Sequence, residues 1–358
     1  MGKLRMGYVG GGGGMAQRVH IPNILLLDEC ELVAIAEVRR DLGERVQQRH
    51  RIPRLYNSHL ELAADQGIQA VAVSGRFSAQ GELAIDLLLA GKDVFMEKPM
   101  AVSVEQAERI LQAERKSGRR LMVGYMKRYD AGNVRVKELI DGFRVSGELG
   151  SIRFVRNHGF CGDWTAGLDT PREHSDQPIP EPPARWPAWL PDKFHAGYLS
   201  YLQQYCHNVN LLRWFLGEEG TGKVKSVDLD ADGTAGIVVL EVGGVRTVIE
   251  SGSVSYHAWD EHTQVYFEHG WIRTCAPPIL LRNLPATVEV YRGERGEKTR
   301  TEIFPAAGWT WSFKEEMRHF VRCVRDGEPF RSPAADAMQD VRLIEDIYRC
   351  YVQSAAGG

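Results

Sequence analysis

Residues 201–210 read YLQQYCHNVN and run on into LLRWFLG. Gln203, His207 and Asn210 fall at spacings of four and three, so on a helix they share one face. An imidazole titrates near neutrality and can take or return a proton at working pH, while flanking amides orient a polar ligand. The same stripe also reads as a core histidine satisfied by hydrogen bonds. A second candidate is Glu97-Lys98-Pro99, at the end of the apolar run DVFM. Pro99 stops a strand there and biases the preceding residue toward extended backbone, which fixes where the Lys98 ammonium points.

The third constellation is GGGGGMAQ, residues 10–17, directly after the apolar run MGYV. Gly11, Gly13 and Ala16 make G-x-G-x-x-A, with Gly14 and Met15 inside the turn, although five successive glycines leave the register open by one residue. Glycines let a backbone approach a pyrophosphate closely. Glu37 ends the next apolar run, ELVAIAE, 24 positions after Gly13. A carboxylate there accepts from ribose hydroxyls and favours NAD over NADP. Arg39 and Arg40 follow at once and could meet a 2′-phosphate, so NADP stays open.

These residues need a scaffold with strand ends facing a ligand. MGYVG, ELVAIAE, QAVAVS, DVFMEK and RLMVGY alternate with helical segments. Ser58 with Glu61 and Ser103 with Gln106 form capping boxes, and Gly91 and Gly118 close helices. Alternation of this kind predicts a doubly wound parallel sheet over residues 1–124, with ligands beyond the C-terminal strand ends. From about 223 to 304 alternating runs such as AGIVVLEV read as further strands, within a second α/β domain spanning 125–358.

The 358 residues exceed one comfortable core. A net charge of −3 gives no reason to expect nucleic acid or an anionic membrane as partner. No apolar run reaches the roughly 20 residues that span a bilayer, and six scattered cysteines without a CxxC pair fit a reducing, cytoplasmic setting. His257, His262, His269 and Cys275 match no zinc spacing, so no metal is expected.

With E-K-P, the glycine loop and the acid after the second strand, the chain resembles the Gfo/Idh/MocA family of nicotinamide-dependent oxidoreductases, along essentially its whole length. The resemblance implies a C-terminal domain on a large, mostly antiparallel sheet, one face of which commonly serves oligomerisation, here as a homodimer or homotetramer. It also implies that HAGYLSYLQQYCHNVNLLRWFLG is the family's catalytic helix, with Lys98 and His207 as catalytic residues. Gln203 stands where that helix usually carries Asp, so His207 has no carboxylate one turn before it, and Gln203 becomes a substrate-orienting amide. Ser74, Phe77 and Gln80 replace a T-P-N-x-x-H type segment and, with Glu97, are expected to line the dinucleotide.

Tyr125, His158 and Trp164 are expected at the substrate; the tryptophan- and proline-rich stretch between Phe160 and His195, which includes Trp164, reads as an extended loop that serves as a lid or packs its tryptophans onto the domain or a neighbouring subunit. The expected activity is NAD-dependent oxidoreduction at a secondary alcohol of a sugar, glycoside or cyclitol. Two alternatives stand beside it: transient ring oxidation with NAD recycled for glycoside cleavage or epimerisation, and a dinucleotide-binding regulator without turnover.

Overall fold

The computed structural model describes residues 2–165, 168–217, 219–254, 259–294, 296–305, 308 and 310–357. The chain forms two compact units, each discontinuous in sequence. The first comprises Met1–Tyr125, Asp169–Pro187 and Phe313–Val341; the second comprises Met126–Leu168, Ala188–Ser312 and Arg342–Gly358.

In the first unit the order is β1 (Leu4–Val9), α1 (Ile21–Leu25), β2 (Cys30–Ala36), α2 (Arg40–His50), β3 (Arg54–Tyr56), α3 (His59–Ala64), β4 (Ala70–Val73), α4 (Phe77–Leu89), β5 (Asp93–Glu97), α5 (Val104–Ser117) and β6 (Leu121–Gly124). The strands pair in parallel in the order β3-β2-β1-β4-β5-β6. Chain order reverses on either side of β1, and a doubly wound sheet opens its ligand crevice between β1 and β4. The expected caps form. Ser58 accepts from Glu61 N at 3.1 Å and Ser103 from Gln106 N at 3.2 Å, while Gly118 adopts φ 67° at the end of α5. β4 and β5 are buried at every position, as strands covered on both faces must be.

The second unit contains α6 (Ala131–Ser146), β7 (Ile152–Cys161), α7 (His195–Leu216) and the strands β8 (Lys223–Leu229), β9 (Gly236–Val242), β10 (Val245–Ser253), β11 (Trp259–Phe267), β12 (Gly270–Ala276), β13 (Thr287–Glu294) and β14 (Glu297–Ile303). Its eight strands run β14-β13-β12-β11-β7-β10-β9-β8, antiparallel except where β7 meets β10. Helix α8 (Ser312–Asp326) belongs to the first unit apart from its opening residue, and α9 (Ala334–Gly357) passes from the first unit into the second. Among the described residues no helix is long and apolar enough to cross a membrane.

Tyr205 and Asn208, one turn apart on α7, fasten that helix to the sheet. The Tyr205 hydroxyl accepts from Gly252 N at 2.8 Å, and Asn208 Nδ2 donates to Asn157 Oδ1 at 2.7 Å. Tyr198 and Tyr201, on the same helix, pack edge-on against Tyr348 with ring centroids 5.1 and 5.8 Å apart.

Candidate active site

The glycine loop opens one residue earlier than the motif placed it. Gly10 has φ +83°, and a Cβ there would stand 1.9 Å from the Ser74 carbonyl oxygen. No other residue type fits both demands. Gly12 is the next constrained position: a Cβ would meet Leu42 at 2.4 Å and Glu37 Oε2 at 2.6 Å. Gly11 and Gly13 are less crowded, with nearest approaches of 3.3 and 3.2 Å. The loop turns back at Gly13, whose N–H donates to Gly10 O at 2.9 Å, and Gln17 N donates to Gly13 O at 3.0 Å. Met15 and Ala16 lead into a π-helical turn, Ala16–His20, before α1. Gly14 is uncrowded: among the described residues beyond its chain neighbours, a Cβ there would meet Arg172 Nη1 alone within 4 Å. Such an uncrowded backbone suits close approach by a phosphate, so the loop fits a dinucleotide.

Glu37 is buried and bound to this loop. Its Oε2 accepts from Gly12 N at 2.7 Å, and its Oε1 accepts from Arg39 Nε at 2.8 Å. Arg39 therefore neutralises the acid, and Arg40 pairs with Glu44 at 2.7 Å. Ser74, at the end of β4, shares a hydrogen bond of 2.7 Å with Tyr8. Phe77 opens α4 half-buried, in keeping with an open cleft edge. Gln80 departs from the expectation. Its side chain is 1% exposed and bonded to backbone: Nε2 donates to the carbonyls of Glu97 and Pro99, the latter at 3.1 Å, and Oε1 accepts from Gly75 N at 3.3 Å. It braces the corner that carries Lys98 and does not line the dinucleotide cleft.

That corner is further held from beneath. The Lys98–Pro99 peptide is cis. Glu97 accepts from His20 Nε2 at 2.7 Å through one oxygen and from Lys98 N at 3.1 Å through the other. Glu97 was expected to line the dinucleotide; here both its oxygens fix the lysine's own backbone and a histidine from the turn after the glycine loop. Glu316 of α8 completes a buried group in which one atom from each of His20, Glu97 and Glu316 lies within 4.8 Å of the others. Among the described residues neither Glu316 oxygen has a hydrogen-bond partner. Burial, then the neighbouring Glu97 charge, pushes its carboxyl well above the usual range, which favours its neutral form. The sequence signal for it lies in SFKEEMRHF: Phe313, Glu316, Met317 and Phe320 recur at helical spacing, which puts a glutamate in an apolar stripe.

In the second unit α7 carries the polar stripe. Gln203 is half-buried and His207 is 8% exposed. Asn210 has a structural task, its Oδ1 accepting from Arg128 Nε at 2.6 Å. Tyr125, at the end of β6 in the first unit, is buried. Trp164 is 41% exposed in a turn after β7.

His158 is displaced from the expected role by strand parity. Asn157 and Gly159 face α7, through Asn208 and Tyr205. His158 therefore points to the opposite face of the sheet. There its Nδ1 meets Glu250 Oε2 at 2.5 Å, and its ring stacks on Phe160 and His262 at 4.6 and 4.8 Å. Of the histidine–cysteine group considered for metal, His257 lies outside the described residues.

The proline-rich stretch is not a single lid. Residues Asp169–Pro187 pack on the first unit. Gln17 and Glu173 exchange two hydrogen bonds, at 2.7 and 3.1 Å; Ser175 donates to Asp41 at 2.8 Å, and Arg45 donates to the His174 carbonyl. Arg76 pairs with Glu181 of the same stretch. Trp189 belongs to the second unit, where its indole N–H donates to Glu345 at 3.0 Å and its ring lies under Arg349.

Residues 4–125 match the model of an oxidoreductase family with an NAD-binding Rossmann fold, Gfo/Idh/MocA. The chain is 24% identical over 339 residues to a myo-inositol 2-dehydrogenase of Thermotoga maritima, covering 91% of this chain and 90% of that protein. It is 27% identical over 248 residues to an inositol 2-dehydrogenase of Salmonella typhimurium, covering 67% of this chain and 65% of that one. The fold matches that of a probable dehydrogenase from Thermotoga maritima with a TM-score of 0.71 and 22% identity, over 98% of this chain and 97% of the other. With a glycine loop and an E-K-P corner built as described, residues 4–125 form an NAD-binding Rossmann domain that matches the Gfo/Idh/MocA oxidoreductase family, and the chain as a whole is similar to dehydrogenases in sequence and in fold.

Proposed function

We propose that the protein moves a hydride between a secondary alcohol of a sugar, glycoside or cyclitol and NAD. The observation that carries this reading is the construction of the E-K-P corner. His20, Glu97 and Gln80 are buried and hydrogen-bonded around Lys98, an arrangement suited to holding one ammonium in place at a strand end. The inositol dehydrogenase names of its relatives support a cyclitol or similar polyol as substrate.

Bound nicotinamide supplies the hydride acceptor or donor. The chain's residues handle the proton and the charge. His207 takes the hydroxyl proton as general base, and Lys98 steadies the developing alkoxide. With Gln203 one turn before it in place of an acid, His207 has no carboxylate on its own helix to hold it in the charged form. Gln203 orients a substrate hydroxyl by donating and accepting through its amide. Glu37 at the end of β2 favours a free ribose 2′-hydroxyl over a 2′-phosphate. The sheet face bearing His158, turned away from α7, is the surface on which copies would pair as a homodimer or homotetramer.

Incubation of the protein and NAD with a panel of cyclitols, sugars and glycosides, with reduced dinucleotide and product quantified together, tests the reading. Equal accumulation of the two is expected. Product without reduced dinucleotide would instead assign a cofactor-recycling oxidation, and dinucleotide binding without product would assign a regulator.

A further inference from the structure

The strap Asp169–Pro187 crosses the glycine loop and places Arg172 at its mouth. The strap's anchors are specific side-chain contacts. Gln17, from the turn after the loop, pairs with the Glu173 backbone through both atoms of its amide. The Glu173 carboxylate sits between Arg45 and Arg49 of α2, 3.5 Å from each. Ser175 bonds Asp41. One residue before these anchors, Arg172 Nη1 lies 3.2 Å from the point a Gly14 Cβ would occupy.

Arg18, one residue beyond Gln17, is near enough for Arg172's positive charge to act against its own. Burial first, and Arg172 second, lower the Arg18 guanidinium from its ordinary value. Among the described residues neither arginine meets a carboxylate. Arg18 Nε is buried without a hydrogen-bond partner, and Arg172 Nε reaches only the His174 ring, at 3.3 Å. Nearly every other cation of this unit around the strap is paired: Arg39 with Glu37, Arg45 and Arg49 with Glu173, Arg76 with Glu181. A guanidinium 3.2 Å from the Gly14 Cβ position, with a second arginine four residues further along the same turn whose buried Nε has no partner, suits a doubly charged anion on the loop.

We propose that the strap is a cofactor clamp, in which Arg172, with Arg18, grips the dinucleotide pyrophosphate over Gly14. This rests on the reading of the glycine loop as the dinucleotide site. The test measures binding by isothermal titration of NAD and of ADP-ribose against the full-length protein, its Arg172→Ala and Arg172→Lys variants, and Arg18→Ala. Arg172→Ala is expected to weaken both ligands equally, by about 10- to 100-fold, with Arg172→Lys intermediate because an ammonium keeps the charge without the fork. Hydrogen exchange of residues 169–187 should slow when ADP-ribose binds the wild-type protein, and much less in Arg172→Ala.

Wild-type affinity for both ligands with Arg172→Ala within twofold of it would overturn the clamp and leave the dinucleotide site standing. Loss for NAD alone, with ADP-ribose unaffected, would also overturn it by placing Arg172 at the nicotinamide end. A wild-type protein that binds neither ligand would remove the clamp and the dinucleotide reading together.

Discussion

Glu316→Gln isolates the least expected feature of the site. Glu316 is fully buried, lies beside Glu97 of β5 and His20 of the turn after the glycine loop, and among the described residues has no hydrogen-bond partner for either oxygen. Its folded-state pKa is raised, by burial first and by Glu97 second, whereas in an unfolded chain a glutamate titrates near 4.3. Below that pH both states are protonated and the group costs nothing. Above it the unfolded state releases a proton that the native state keeps, so stability falls as pH rises, at up to about 1.4 kcal/mol per pH unit, until the folded pKa is reached.

Glutamine matches the shape of the neutral acid and does not titrate, so its presence removes this slope whatever its fixed effect on stability. For a unit of this size each kcal/mol moves a melting midpoint by about 2–4 °C. The midpoint of Glu316→Gln minus that of wild type should therefore climb by up to roughly 3–6 °C per pH unit from pH 5 upward. Thermal melts of both proteins at half-unit intervals between pH 4 and 8 provide the comparison. Parallel curves would refute the reasoning, because they would mean that Glu316 ionises alike in both states.

Two further outcomes follow from the glycine loop and its acid. Gly10→Ala forces a side chain into left-handed backbone, at a cost of about 1–3 kcal/mol, and against the Ser74 carbonyl; titration calorimetry should show NAD affinity reduced at least tenfold, and unchanged affinity would mean that the loop is not the cofactor's seat. NAD should bind at least tenfold more tightly than NADP, and Glu37→Ser, which releases Arg39, should narrow or reverse that ratio; tighter NADP binding by the wild type would overturn the role given to Glu37.

The parts legible in the sequence are those with a local cause. Five of the six strands of the parallel sheet show as apolar runs because they are buried on both faces. β3 does not show: it has three half-buried residues and pairs only with β2. The capping boxes and Gly118 were readable because each is satisfied within a few residues. Glycines in series hid the turn, since the demand at Gly10 comes from the Ser74 carbonyl 64 positions away. The sequence places Gln80 and Glu97 near Lys98, but not their partners: Pro99 and Gly75 for Gln80, and His20 for Glu97. His158 failed because parity along β7 was not tied to a buried partner until Asn157 met Asn208. Composition marks the stretch between Phe160 and His195 as proline-rich, but not that Gln17, Asp41 and Arg45 hold part of it.

In the proposed reaction a hydride passes from a polyol carbon to NAD while His207 takes the hydroxyl proton and Lys98 steadies the alkoxide. The most direct measurement uses polyols deuterated at their carbinol carbons, incubated with NAD and the protein, with mass spectrometry of the recovered dinucleotide. Deuterium should appear in the reduced dinucleotide with wild-type protein, and its rate of appearance should fall at least a hundredfold in Lys98→Ala and in His207→Ala while NAD still binds. Transfer at the wild-type rate in both variants, or no transfer from any polyol by a protein that binds NAD, would contradict the account.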